Sequence, residues 1–254
     1  MSIQFLKEIQ IRIYVSSTKL AFGFSFLVLL FSVSAYAQQR RPAPRGGQRA
    51  VVVDERLAVL RDEPSLSAHL LKRLSRGRLV SLITIKRSPD GVAFYRVAVT
   101  RRTRGWLQRE AVVSPLRKGD DERLLSLIRA SNDFDRIARA SIFLETFPRS
   151  GYRPAVLLML GAAAEDAARK LSSEAPRRLD EDEMKANRAV VFSYFMNFNG
   201  LDRYRRIGID FVFDDVKKQF HYNGACWREL VRRFPRSEEA AEAIERLASL
   251  ASLE

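Results

Sequence analysis

The chain has 254 residues, 44 of them Lys or Arg and 30 Asp or Glu, for a net charge of +14. A single cysteine excludes a disulfide framework, and 12 Gly with 9 Pro exclude a collagen-like or low-complexity chain. At 46% hydrophobic residues the chain can build packed cores, and its length allows one large or two small domains.

Residues 1–19 carry Lys7, Arg12 and Lys19 against Glu8. Residues 20–34 hold no charge, and Ala35-Tyr36-Ala37 precedes Gln38. A basic start, an apolar run and an Ala-x-Ala site form the pattern of a secretory signal peptide over residues 1–37, cleaved near Ala37-Gln38. The alternative is an uncleaved anchor, although the run falls short of the roughly 20 apolar residues that span a bilayer. No cysteine lies near the cleavage site, so no lipid anchor is expected. The protein is therefore expected to be periplasmic or secreted. Residues 38–49, Arg- and Pro-rich without an apolar period, read as a basic flexible linker.

The charge is uneven. Residues 38–118 hold 19 basic and 6 acidic side chains, whereas residues 119–254 hold 22 and 23. The surplus therefore sits in the first part, where it attracts anionic partners. Outside the cytoplasm such partners are wall polymers, anionic lipid or acidic proteins, not nucleic acid.

From 50 to 116 short apolar runs alternate with turn residues. Strands are expected at 57–61, 79–85, 94–99, 105–107 and 111–113, with turns at Ser75-Arg76-Gly77 and Ser88-Pro89-Asp90-Gly91. Five short strands in this length suggest a small barrel. Alternation points Leu107 and Tyr95 inward, and Trp106, Phe94 and Arg96 to the other side. Trp106 either covers the barrel edge or meets a ligand, with Arg104 nearby.

These residues resemble a bacterial SH3-like domain. The pieces that carry the resemblance are Leu57-Ala58-Val59-Leu60-Arg61 with Pro64, Leu74-Ser75-Arg76-Gly77, Val80-Ser81-Leu82, Phe94-Tyr95-Arg96-Val97, Gly105-Trp106-Leu107 and Ala111-Val112. Asp62-Glu63-Pro64 stands where the family usually has Gly-Pro. Members outside the cytoplasm often bind cell-wall peptides or act as targeting modules. The resemblance implies a ligand-binding face, for which the candidates are Arg61, Phe94, Arg96, Arg104 and Trp106.

Residues 120–254 change to a helical period. A first helix is expected to start at Asp120-Asp121-Glu122 and carry Leu124, Leu125, Leu127 and Ile128, and further helices at about 133–147, 152–172, 184–198, 209–220, 223–234 and 237–252, with a polar connection at 174–183. Gly161, Ala164 and Ala168 form a small-residue face on the third. Phe147-Pro148-Arg149-Ser150 recurs as Phe234-Pro235-Arg236-Ser237. In each, the aromatic packs under a helix end, Pro stops that helix and Ser offers a capping oxygen to the next. This string resembles the junction of tetratricopeptide-like repeats in periplasmic proteins. Such repeats imply a surface for a protein partner, and a generic helical bundle is the competing reading.

No nucleophile elbow, zinc-protease, P-loop or C-x-x-C motif occurs. His69 and His221 lie in different halves, and zinc needs three or four N or S ligands. Asp214-Asp215 and the Asp180–Glu183 acids read as solvated, and Cys226 as a small buried hydrophobe. No catalytic residue, metal or cofactor is expected. The expected fold is α+β and multidomain, a small SH3-like β-barrel followed by an all-α, TPR-like hairpin domain. The expected role is non-enzymatic binding and scaffolding in the cell envelope. The barrel would engage peptidoglycan or an acidic envelope protein, and the helices a protein partner. The alternative is an accessory or regulatory subunit of a periplasmic complex whose barrel packs on its own helices and does not meet the wall.

Overall fold

In the computed structural model, residues 47–251 are described. The expected leader, its cleavage site and the linker up to residue 46 lie outside them. Strand β1, Gln48–Val52, begins two residues inside the expected linker, because Gln48 and Arg49 pair with Leu82 and Ser81.

The strands that follow are β2 (Val59–Arg61), β3 (Leu70–Arg73), β4 (Leu79–Arg87), β5 (Ala93–Ala98), β6 (Arg104–Gln108) and β7 (Val112–Val113). All ladders are antiparallel, in the order β3-β2-β6-β5-β4-β1-β7. The sheet is open, where a closed barrel was expected. Its β7 edge is occupied by side chains of helix α1 (Asp120–Arg129) rather than by another strand. Asp120 Oδ2 accepts the Ser114 amide at 2.7 Å, and Arg123 donates to the Val112 and Glu110 carbonyls. A buried strand edge satisfied in this way needs no further ladder.

The sheet nevertheless curls around one core. Leu60, Leu107, Val97, Val80, Leu82, Val52 and Val112 share the inner cluster, with Tyr95 packed against it. Gly105 permits the tight passage of β2 over β6. A Cβ there would stand 2.6 Å from the Arg61 carbonyl oxygen and 2.8 Å from Leu60 Cγ.

The helical half begins with α1 and continues with α2 (Asp133–Thr146) and α3 (Arg153–Arg178). Helix α3 runs six residues beyond the expected end because buried Leu171 and Ala175 extend its apolar face through the polar stretch. Short helices α4 (Glu181–Asn187), α5 (Val191–Met196) and α6 (Asp202–Arg205) follow. The expected helix at 209–220 is instead a hairpin of β8 (Phe211–Asp214) and β9 (Gln219–Tyr222). Phe211, Phe213, Phe220 and Tyr222 are buried on one side while Val212 stays exposed, a period of two that the helical reading overlooked. Asp214 Oδ1 accepts the Val216 and Lys217 amides, each at 2.9 Å, and so closes the turn.

Helices α7 (Ala225–Arg233) and α8 (Glu238–Ala251) end the described chain. The two Phe-Pro-Arg-Ser strings adopt one geometry. Phe147 and Phe234 each donate to the carbonyl four residues back, at 2.9 and 2.8 Å, and each carbonyl accepts the Ser amide three residues on, at 3.3 and 3.0 Å. Ser150 Oγ accepts the Tyr152 amide at 3.3 Å just before α3 and donates to Asp121, whereas Ser237 Oγ is buried with no partner among the described residues and does not cap. The small face of α3 does bring helices close, with the Trp227 ring of α7 resting on Gly161.

Sheet and helices share a core. Val51, Val53 and Val113 belong to the cluster of Leu124, Leu125, Ile128 and Ile137. Buried Arg139 of α2 fastens the joint. It donates to the Val53 carbonyl at 3.1 Å and to Ser131 Oγ at 2.5 Å, and its guanidinium lies 4.0 Å from Asp54.

Candidate functional site

The register assembles a cross-strand row on the outer face of the sheet. Trp106 on β6 pairs with Arg61 of β2 on one side and with Arg96 of β5 on the other. Arg96 in turn pairs with Thr84 of β4. Adjacent strands lie about 4.8 Å apart, so the two arginines flank the indole with roughly 10 Å between their backbones. Two residues away on the same face, Arg104 pairs with Ala98, and Phe94 pairs with Gln108 and Lys86. The five expected site residues therefore share one face.

Their environments differ. Arg96, Arg104, Lys86 and Thr84 are exposed, and Trp106 and Gln108 are half-buried. Neither Arg96 nor Arg104 has an ion-pair or hydrogen-bond partner among the described residues. Half-buried Arg61 is already engaged, since its Nη1 donates to the Ala68 carbonyl at 2.5 Å and ties down the loop before β3. Phe94 must be removed from the contact set. It is 0% exposed, so no ligand reaches its ring. Tyr95 and Leu107 face the inner core as expected. Lys86 and Gln108 were missed in the sequence. The turn at Ser88–Gly91, with the Ser88 amide donating to the Val92 carbonyl at 2.8 Å, sets the register that brings Lys86 opposite Phe94.

The outer face is divided along its length. At the β1–β7 end, Val51, Leu79 and Val113 pack into the helical core. At the β2–β6–β5 end stand Arg61, Trp106 and Arg96, and half-buried Trp106 is not part of that apolar cluster. Exposed guanidinium groups beside an aromatic ring can pair with anions and stack at the same time.

Cys226, expected to be buried, is half-buried by surface area; its desolvating surroundings still push the thiol up to about 11, and its amide donates to Tyr222 Oη at 2.8 Å. Asp215 pairs with Lys218 at 2.6 Å, and Asp180 caps α4 through the Asp182 and Glu183 amides. His221 Nδ1 lies 3.8 Å from Glu165 Oε1. Among the described residues no group of three His, Cys, Asp or Glu could hold a metal ion, and no helix is long and apolar enough to cross a membrane. A cleft of about 910 Å3 between α2, α3 and α6 is lined by charges that pair internally, Lys170 with Asp133 and Arg169 with Asp166.

No family model matches the chain, and no curated protein or solved structure shows significant similarity to it.

Proposed function

We propose that the protein is an exported, non-enzymatic binding and scaffolding protein of the cell envelope. The outer sheet face engages an anionic wall polymer, peptidoglycan in the first instance, and the helical half holds a protein partner. The observation that carries the proposal is the Arg61–Trp106–Arg96 row, with unpaired Arg104 and Lys86 beside it. A polymer with sugar rings and carboxylates presents what that row complements, flat surfaces for the indole and anions for the guanidinium groups. The order of the strand motifs supports an SH3-like module, and the twice-used Phe-Pro-Arg-Ser turn supports a TPR-like helical half. The leader pattern supports export.

A second reading has one observation in its favour. Val51, Val53 and Val113 dock the sheet on its own helices, as an accessory subunit without wall binding would require. That contact uses the other end of the outer face and leaves Trp106 outside it, which favours the wall-binding reading.

Sedimentation of the purified protein with isolated sacculi tests the proposal. Binding is expected at low salt, weakening as ionic strength rises. The R96E/R104E and W106A variants should each lose about tenfold or more in affinity. Absence of co-sedimentation at low salt would refute the proposal, as would full binding by both variants.

A further inference from the structure

The segment leaving β7 and the first Phe-Pro-Arg-Ser turn face each other across a pocket of about 470 Å3. Pro115, Leu116, Phe147 and Pro148 supply its apolar walls. Leu116 is 76% exposed there, an unusual position for a leucine that only links two elements. Arg117, Lys118 and Arg149 add three cations to the lining.

The single carboxylate in the lining is already used. Asp121 Oδ2 accepts Ser150 Oγ at 2.8 Å, and its Oδ1 accepts the Glu122 amide at 3.0 Å. Lys118 and Arg149 are exposed and have no ion-pair or hydrogen-bond partner among the described residues. Arg117 is anchored, with Nη2 3.2 Å from Asp120 and its guanidinium 5.4 Å from the centre of the Tyr95 ring. Its Nη1 is buried with no partner. That buried nitrogen is out of a ligand's reach, so Arg117 braces the pocket and the free cations in its lining are Lys118 and Arg149.

We infer that this pocket binds the free carboxylate end of a short apolar peptide. The carboxylate meets Lys118 and Arg149, and the apolar side chain lies against Leu116 and the two prolines. The volume falls within the about 300–1,000 Å3 of small-ligand sites, room for about two or three residues. A chain terminus suits this pocket better than a continuous polymer, so the site is independent of the Trp106 face. It also gives Arg149 a role. The Phe, Pro and Ser of its string shape the turn, whereas the arginine contributes nothing to the turn's hydrogen bonds.

The same chemistry has two sources, the L-terminus of a protein and the D-terminus of a wall peptide. Calorimetric or NMR titration of the full chain with N-acetyl-L-alanyl-L-leucine and with N-acetyl-D-alanyl-D-alanine separates them. Saturable binding of at least one acid is expected, with its C-terminal amide binding about tenfold or more weakly. The K118A/R149A variant, altered only at exposed side chains, should lose a similar factor while melting like the parent. L116S should weaken acid and amide alike. No saturation up to about 10 mM, equal binding of acid and amide, or an unaffected double variant would each overturn the assignment.

Discussion

Replacing Gly161 by alanine tests how the helical half is held together. A Cβ at this position would stand 2.1 Å from Trp227 Nε1, 2.5 Å from Cε2 and 2.7 Å from Cδ1. Carbon contacts settle near 3.5–4.0 Å, so helix or ring must retreat by roughly an ångström or more. The ring is rigid and is 1% exposed. The edge of Tyr222 meets it, with centroids 5.6 Å apart and planes at 83°. Overpacking of this kind costs about 1–3 kcal/mol, occasionally more. Alanine returns about 1 kcal/mol through helix propensity, because glycine is a poor helix former. The severity of the overlap puts the cost at the upper end of that range, so the net loss is about 2 kcal/mol, and a chain of this size loses about 2–4 °C of Tm per kcal/mol. Thermal denaturation of G161A beside G151A provides the assay, since nothing lies within 4 Å of a Cβ at Gly151. G151A should melt like the parent, and G161A/W227L should melt above W227L because the propensity gain is then realised without the clash. A parent-like or raised Tm for G161A alone would refute the packing of α3 on α7.

The joint between sheet and helices is open to similar tests. R139A leaves the Val53 carbonyl, Ser131 Oγ and Asp54 short of a buried partner and should cost about 3–5 kcal/mol in denaturant unfolding; a loss below about 1 kcal/mol would show that Arg139 does not fasten the joint. The Arg56 hydrogen bond holds the Asp54 carboxyl below its ordinary value, against the opposing effect of burial. A lowered folded pKa stabilises above the unfolded value, and that contribution is lost as pH falls through the folded one. The stability gap between parent and D54N should therefore be full at pH 7 and shrink below about pH 4, and a gap that is constant with pH contradicts the reading. With the Cys226 thiol at about 11, only about one molecule in a thousand is thiolate at pH 8. A thiol reagent should react slowly with the folded protein and rapidly in denaturant, and fast reaction in the native state would show Cys226 to be accessible.

What was readable in the sequence, and what was not, follows from how far each signal reaches. Leu107, Tyr95 and Trp106 were assigned to the correct sides because alternation is local and a strand enforces it. Phe94 obeyed the same alternation, standing on the face of Arg96 and Trp106, yet it is fully buried. Alternation fixes the side of a sheet and says nothing about what covers that side. The β8–β9 hairpin is hard to read from sequence because each strand is only four residues long, so the period of two in Phe211/Phe213 and in Phe220/Tyr222 spans just three positions each. The turn at Asp214 decides between helix and hairpin. The open sheet was beyond reach for another reason. Whether β7 closes onto β3 depends on Arg123 and Asp120, which belong to a helix that sequence periodicity assigns to the other half.

The surplus positive charge divides into two uses, and the division bears on any anion the sheet binds. Part of it is structural. Arg76 pairs with Asp135 of α2 at 2.9 Å, Arg117 with Asp120 of α1, and Arg78 donates to the Val99 carbonyl at 3.2 Å. These arginines join the basic sheet to acids on the neutral half or brace the sheet itself, so they add little field outside. Lys86, Arg96 and Arg104 carry no such obligation among the described residues and stand on one face. Reversing Arg96 and Arg104 should therefore flatten the salt dependence of sacculus binding with little loss of Tm, whereas R76E should lower Tm and leave the salt dependence nearly intact. If both sets changed binding equally, net charge alone would govern attraction and the Trp106 row would have no special standing.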